Sequence, residues 1–163
     1  MSNNVLILEV LPNYISSVVQ REDMDGNDIY YYRHFDWDRP YCNNVQKGDE
    51  FFLINREDVD VPGINMHGFF DSDEILTPVL WSERGVSKVY LRDVQIAEPR
   101  KYRPLSIDAL QAAMPFINWG PGPSGRRITG PYIRKIRKMW KQYLAMNDDF
   151  KDDNGNRFKI YKR

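Results

Sequence analysis

The stretch KGDEFFLIN, residues 47–55, opens with a Lys-Gly-Asp turn signal and runs straight into apolar residues. A short apolar run bounded by turn residues reads as a buried strand. The segments around it repeat the pattern. VLILEVL (5–11) reads as another buried strand, and YISSVVQ (14–20) favours strand through its β-branched residues. IYYYRHF (29–35) follows an Asp-Gly turn signal at 25–26, so 14–35 is expected to form a hairpin. GINMHGFFD (63–71) alternates, with Gly63 and Gly68 suggesting a bend or bulge. In SKVYLRDVQI (87–96), Val89 and Leu91 share a face, and Val94 and Ile96 join it only after a slip. The first hundred residues therefore predict a small β-barrel or a strongly bent sheet.

After Pro99 the period changes. PLSIDALQAAM (104–114) carries Ser106 as an N-cap, with Ile107, Leu110, Ala113 and Met114 at helical spacing. PYIRKIRKMWKQYLAMN (131–147) starts with a proline suited to a first helical turn. Its apolar stripe is Ile133, Ile136, Trp140, Tyr143 and Leu144, opposite Arg134, Lys135, Arg137, Lys138 and Lys141. The segment 150–163 holds an Asn-Gly turn signal and reads as a short hairpin or strand. The expected architecture is α+β, one domain over 1–163, with a β-rich part (1–100) and a helical part (104–147).

Composition excludes several classes. Of 163 residues, 42% are hydrophobic and 28% charged, which is a globular balance. The single cysteine, Cys42, rules out an internal disulfide and a thiolate metal cluster, and points to a reducing cytoplasm. The run at 5–11 is too short for a membrane span and lacks a basic region before it, so no membrane partner is expected. With only His34 and His67, a histidine-based nuclease or metal centre is disfavoured. Walker A, GxGxxG and GxSxG patterns are absent from the chain. The acidic clusters REDVD (56–60) and DSDE (71–74) offer only oxygen ligands and read as solvated loops. Neither a metal nor another cofactor is expected.

Charge is uneven. Residues 126–163 carry twelve Lys/Arg against four Asp/Glu, leaving eleven against nineteen elsewhere, although the whole chain is neutral. That asymmetry predicts either an anionic partner for the C-terminal part or an internal contact between the two halves. INWGPGPSGRRITG (117–130), between the two expected helices, concentrates the candidates. Gly and Pro let backbone amides approach a ligand, Arg126 and Arg127 suit phosphate, and the next helix N-terminus adds amide donors. Trp37, Trp81 and Trp119 all fall in expected loops, where an indole stacks on a flat ligand or folds back onto the core. The candidate ligand contacts are Trp37, Asn118, Trp119, Ser124, Arg126 and Arg127. Arg134, Lys135 and Lys138 are the candidate phosphate contacts.

The order of these segments resembles PUA-like domains of the EVE and ASCH-related group, over roughly residues 45–141. It is similar in particular to the accessory domain that precedes HNH nuclease modules in prokaryotic restriction-like proteins. The resemblance rests on Gly48, Asp49 and Phe51–Leu53, then Gly63, Ile64, Gly68 and Ser72, then Val89–Leu91 and Pro99. Trp119, Ser124, Gly125, Ile128 and Trp140 complete it. Where the group often has Gln, this chain has Gly122 or Pro123. The resemblance implies a compact β-barrel with flanking helices and a concave face that binds RNA or holds a flipped, modified base. The expected function is a non-catalytic reader of DNA or RNA. The alternatives are a protein-interaction module without a pocket, and an ASCH-like hydrolase using Lys47 or Glu83.

Overall fold

The computed structural model describes residues 4–9, 15–22, 28–37, 45–56, 61–80, 82–96, 103–120 and 126–146. Nine strands form in chain order: β1 (Val5–Glu9), β2 (Ile15–Glu22), β3 (Asp28–Trp37), β4 (Glu50–Asn55), β5 (Gly63–Phe70), β6 (Ile75–Val79), β7 (Ser82–Ile96), β8 (Leu105–Ser106) and β9 (Arg126–Ile128). The helices are α1 (Ile107–Ala113) and α2 (Tyr132–Met146).

The strands make one mixed sheet with the order β2-β3-β7-β5-β4-β1-β9, while β6 pairs with β7 and β8 with β5. β1 runs parallel to β4. The other pairings are antiparallel. The α+β expectation and the 14–35 hairpin hold. The closed barrel does not: β2 and β9 lie at opposite ends of the order and are not paired. The sheet stays open, and its helix-side face is covered by α1 and α2 rather than by further strands.

Strand alternation produces two cores, one on each face. Val5 and Ile7 of β1 and Phe52 and Ile54 of β4 pack toward the helices with Leu110, Met114, Trp119, Ile136, Trp140 and Leu144. Leu6, Leu8, Phe51 and Leu53 point the other way and pack with Met66, Phe70, Val89, Leu91 and Val94. That is why VLILE and EFFLIN read as continuous apolar runs: both faces are buried.

The slip in β7 is a bulge with a consequence for the site. Phe69 pairs with Arg92 but His67 pairs with Gln95, so β7 holds one residue more than β5 across the same interval. Asp93 takes the left-handed conformation there, with φ 51°. The bulge keeps Val94 on the same face as Val89 and Leu91. Residue 95 therefore moves to the helix face, which strict alternation from 91 would have denied it. Opposite it, Gly68 lies so close to Phe51 that an added Cβ would stand 2.9 Å from the ring. A β-branched residue is poorly suited to positive φ. Asp93→Val is expected to cost about 1–2 kcal/mol, and Asp93→Gly close to nothing, in chemical denaturation.

α1 forms where its cap and period dictate. Ser106 is extended (ψ 149°) and its side chain accepts from Ala109 N. α2 buries Ile136, Trp140 and Leu144, four residues apart on one stripe. Cys42, Trp81, Ser124, Gly125 and the segment 150–163 lie outside the described residues. Among the described residues, no helix is long and apolar enough to cross a membrane.

Candidate functional site

The stretch 117–130 is mainly architecture where it is described. Trp119 is 1% exposed, and its indole Nε1 donates to Met114 O at 3.1 Å. It is a core residue, not a stacking platform. Arg126 is committed as well. Its Nη2 donates to Glu9 Oε1 (2.8 Å), and its Nη1 donates to the carbonyls of Asn118 (2.7 Å) and Gly120 (3.1 Å). Arg56 shares the Glu9 oxygen at 3.1 Å and also donates to the carbonyl of Trp119. Two guanidiniums and one buried carboxylate thus tie the 118–120 backbone to β1, and residues 126–128 pair with β1 as β9. Asn118 is exposed, and its Oδ1 accepts from Gly120 N. Arg127, Arg134, Lys135 and Lys138 are exposed. Trp37 ends β3 opposite Ser87, with its side chain outside the description.

A cavity lies elsewhere among the described residues. It has a volume of about 440 Å³ and sits between the helix face of the sheet and the C-terminal half of α2. Among the described residues, none of those nominated from sequence lines it; Ser124 and the Trp37 side chain lie outside the description. Register builds its floor: Glu50 pairs with Phe69, Phe52 with His67, and His67 with Gln95. These five side chains form one contiguous patch across β4, β5 and β7. α2 supplies the opposing wall through Arg137, Trp140, Lys141 and Leu144. Such a volume and a mainly apolar lining that includes Phe52, Phe69 and Trp140 suit a small flat ligand. Trp140 stacks on Tyr143 (5.2 Å, 28°), and Phe52 meets the indole edge-on at 6.3 Å. Outside the cavity lining, the Arg92 guanidinium lies 4.7 Å over the Phe69 ring.

A polar chain runs through this apolar setting. Glu50 is 4% exposed. Its Oε1 accepts from Arg137 Nε (2.9 Å) and Nη2 (2.6 Å), and its Oε2 stands 2.8 Å from His67 Nε2. Gln95 Oε1 accepts from Trp140 Nε1 (2.8 Å) and lies 3.2 Å from His67 Nδ1. Burial acts most strongly on Glu50 and raises its pKa, yet hydrogen bonds and charges from His67 and Arg137 together outweigh it. The carboxyl is held below its ordinary value and is ionised near neutrality. An indole N–H only donates, so the atom of Gln95 facing Trp140 must be its oxygen. Both ring nitrogens of His67 then face acceptors.

Sequence reasoning missed this site. Its signal was a charge in phase with an apolar face: Glu50 alternates with Phe52 and Ile54, and His67 with Phe69. The basic side of α2 was read as separate from the stripe, whereas Arg137 reaches back to Glu50. The charge asymmetry is partly an internal contact, since Arg126 meets Glu9 and Arg137 meets Glu50. Comparison with family models, curated proteins and solved structures found no match.

Proposed function

We propose that the protein is a non-catalytic binding module for a nucleobase, plain or modified, presented by DNA or RNA. The observation that carries this reading is the aromatic cavity under a basic helix. Phe52, Phe69 and Trp140 line its apolar wall, while Arg134, Lys135, Lys138 and Lys141 stand exposed along α2. The resemblance to PUA-like domains is consistent with it, with the cavity placed against α2 rather than at the 117–130 loop.

The state of the polar chain favours binding over catalysis. Glu50 and His67 have the composition of an acid–base pair, but each carboxylate oxygen and each ring nitrogen is already engaged. The pair therefore serves as a framework that holds Trp140, through Gln95, at a fixed angle.

The test is a titration with single-stranded oligonucleotides followed by tryptophan fluorescence, at about 50 and about 200 mM salt. If Arg134, Lys135, Lys138 and Lys141 each meet a phosphate, the log–log salt slope is about −3. Affinity then falls about fiftyfold over that range. An absence of binding at low salt, or binding indifferent to salt, disproves the reading.

A further inference from the structure

The hydrogen-bond inventory of the cavity is one-sided, and the side it leaves open defines the ligand edge it can take. Gln95 is oriented by Trp140: its oxygen accepts from the indole, so its amide nitrogen is the group left over. Among the described residues that nitrogen has no acceptor, because both contacts of Gln95 use the oxygen. Arg137 uses Nε and Nη2 on Glu50, which leaves Nη1. Lys141 lines the cavity one helical turn beyond Arg137 and has no ion-pair partner among the described residues. The groups left to meet a ligand are thus an amide N–H, a guanidinium N–H and an ammonium, all donors. The acceptors of the cavity, Glu50 and the Gln95 oxygen, are occupied from within the protein.

Resting on the reading above, we propose that the cavity selects bases with an oxygen at purine C6 or pyrimidine C4 over bases with an amino group at that position, with Lys141 receiving the adjoining phosphate. An oxo group of the uracil, guanine or hypoxanthine type accepts from Gln95 Nε2 and Arg137 Nη1. An amino group at the same place turns its hydrogens toward those of Gln95 and Arg137, leaving donors facing donors. A site built to hydrogen-bond one polar group rejects an analogue that leaves its own groups unpaired far more strongly than it rejects a change of size. The shared chemistry is a phosphorylated oxo-base, and it has two sources: a free mononucleotide, or one nucleotide unit of a strand.

The experiment compares matched pairs on the intact protein. Inosine against adenosine monophosphate, and uridine against cytidine monophosphate, form the free-nucleotide arm. Oligo-U against oligo-C forms the strand arm, and both are read by calorimetry. At least tenfold tighter binding of the oxo member in either arm supports the proposal and identifies the source. Gln95→Glu keeps an oxygen for Trp140 and His67 but removes the amide donor, and it is expected to shift the preference toward the amino member. Lys141→Met, at an exposed helix position that does not endanger folding, is expected to bring each nucleotide down to the affinity of its nucleoside. Equal affinity for oxo and amino members overturns the selectivity while leaving the base-binding reading intact. No binding in either arm at low salt overturns both. A Lys141→Met protein that still prefers nucleotide to nucleoside as wild type does removes the phosphate assignment.

Discussion

Trp119→Ala is expected to lower the free energy of unfolding by about 3–5 kcal/mol, read from urea denaturation. Trp119 is the largest fully buried side chain of the described residues. It joins Val5, Phe52, Leu110 and Ile136 in the helix-side core. Removing it opens a cavity that close-packed neighbours can only partly fill. It also takes the indole donor from the carbonyl of Met114, which keeps only the N–H of Ile117. The same substitution separates the two roles that the residue was assigned. If Trp119 is architecture, the fraction of Trp119→Ala protein that stays folded binds oligonucleotide with wild-type affinity. A ligand-stacking role would instead abolish binding at conditions where the protein is still folded.

The residues of 117–130 show how far sequence reaches. A tryptophan beside glycine, proline and paired arginines looks the same whether it faces a ligand or the core. What decides is the position of Glu9, more than a hundred residues away in sequence, against Arg126. The same limit applies to β9: only pairing with Val5–Ile7 turns RRI into a strand. Local features fared better. The Ser106 cap, the apolar stripe of α2 and the slip at Val94 are set by neighbours within a few residues, and each was legible. The cavity was not, since it requires two registers at once: β4 on β5, which sets Glu50 beside Phe69 and Phe52 beside His67, and β5 on β7, which sets His67 beside Gln95. A strand register is a long-range quantity that a charged residue in an apolar phase hints at but does not specify. Closure fails for a similar reason. Strand-like segments and turns are common to open and closed sheets, and which edges meet is decided by pairing rather than by pattern.

The second large effect concerns Glu50 and acid. Two influences oppose each other there. Burial disfavours the carboxylate, whereas His67 and Arg137 favour it, and the net result holds the carboxyl below its ordinary value. A folded-state pKa below the unfolded one stabilises the fold above the unfolded value, and that stability is lost as pH falls through the folded value. Wild-type protein should therefore lose stability on acidification below the ordinary glutamate range, near pH 4.3. Glu50→Gln has the shape of the protonated acid and never acquires the charge. It is expected to be less stable than wild type by about 1–2 kcal/mol at pH 7, since a hydrogen bond to a charged group exceeds its neutral counterpart. The Arg137 contact contributes the smaller share, because that side chain is 50% exposed and water screens it, whereas His67 is 13% exposed. The difference between the two proteins should shrink as pH falls toward the folded-state value. Urea denaturation at pH 7, 5 and below 4 measures it. A gap that stays constant across that range would mean that Glu50 contributes through shape alone and that its ion pairs hold nothing. The same variant bears on the site: without a carboxylate at 50, His67 has no anion to face, its hold on Gln95 weakens, and Trp140 loses the partner that fixes its indole. Glu50→Gln should then weaken nucleotide binding even at a temperature where it is fully folded, because the aromatic wall is positioned by the polar chain behind it.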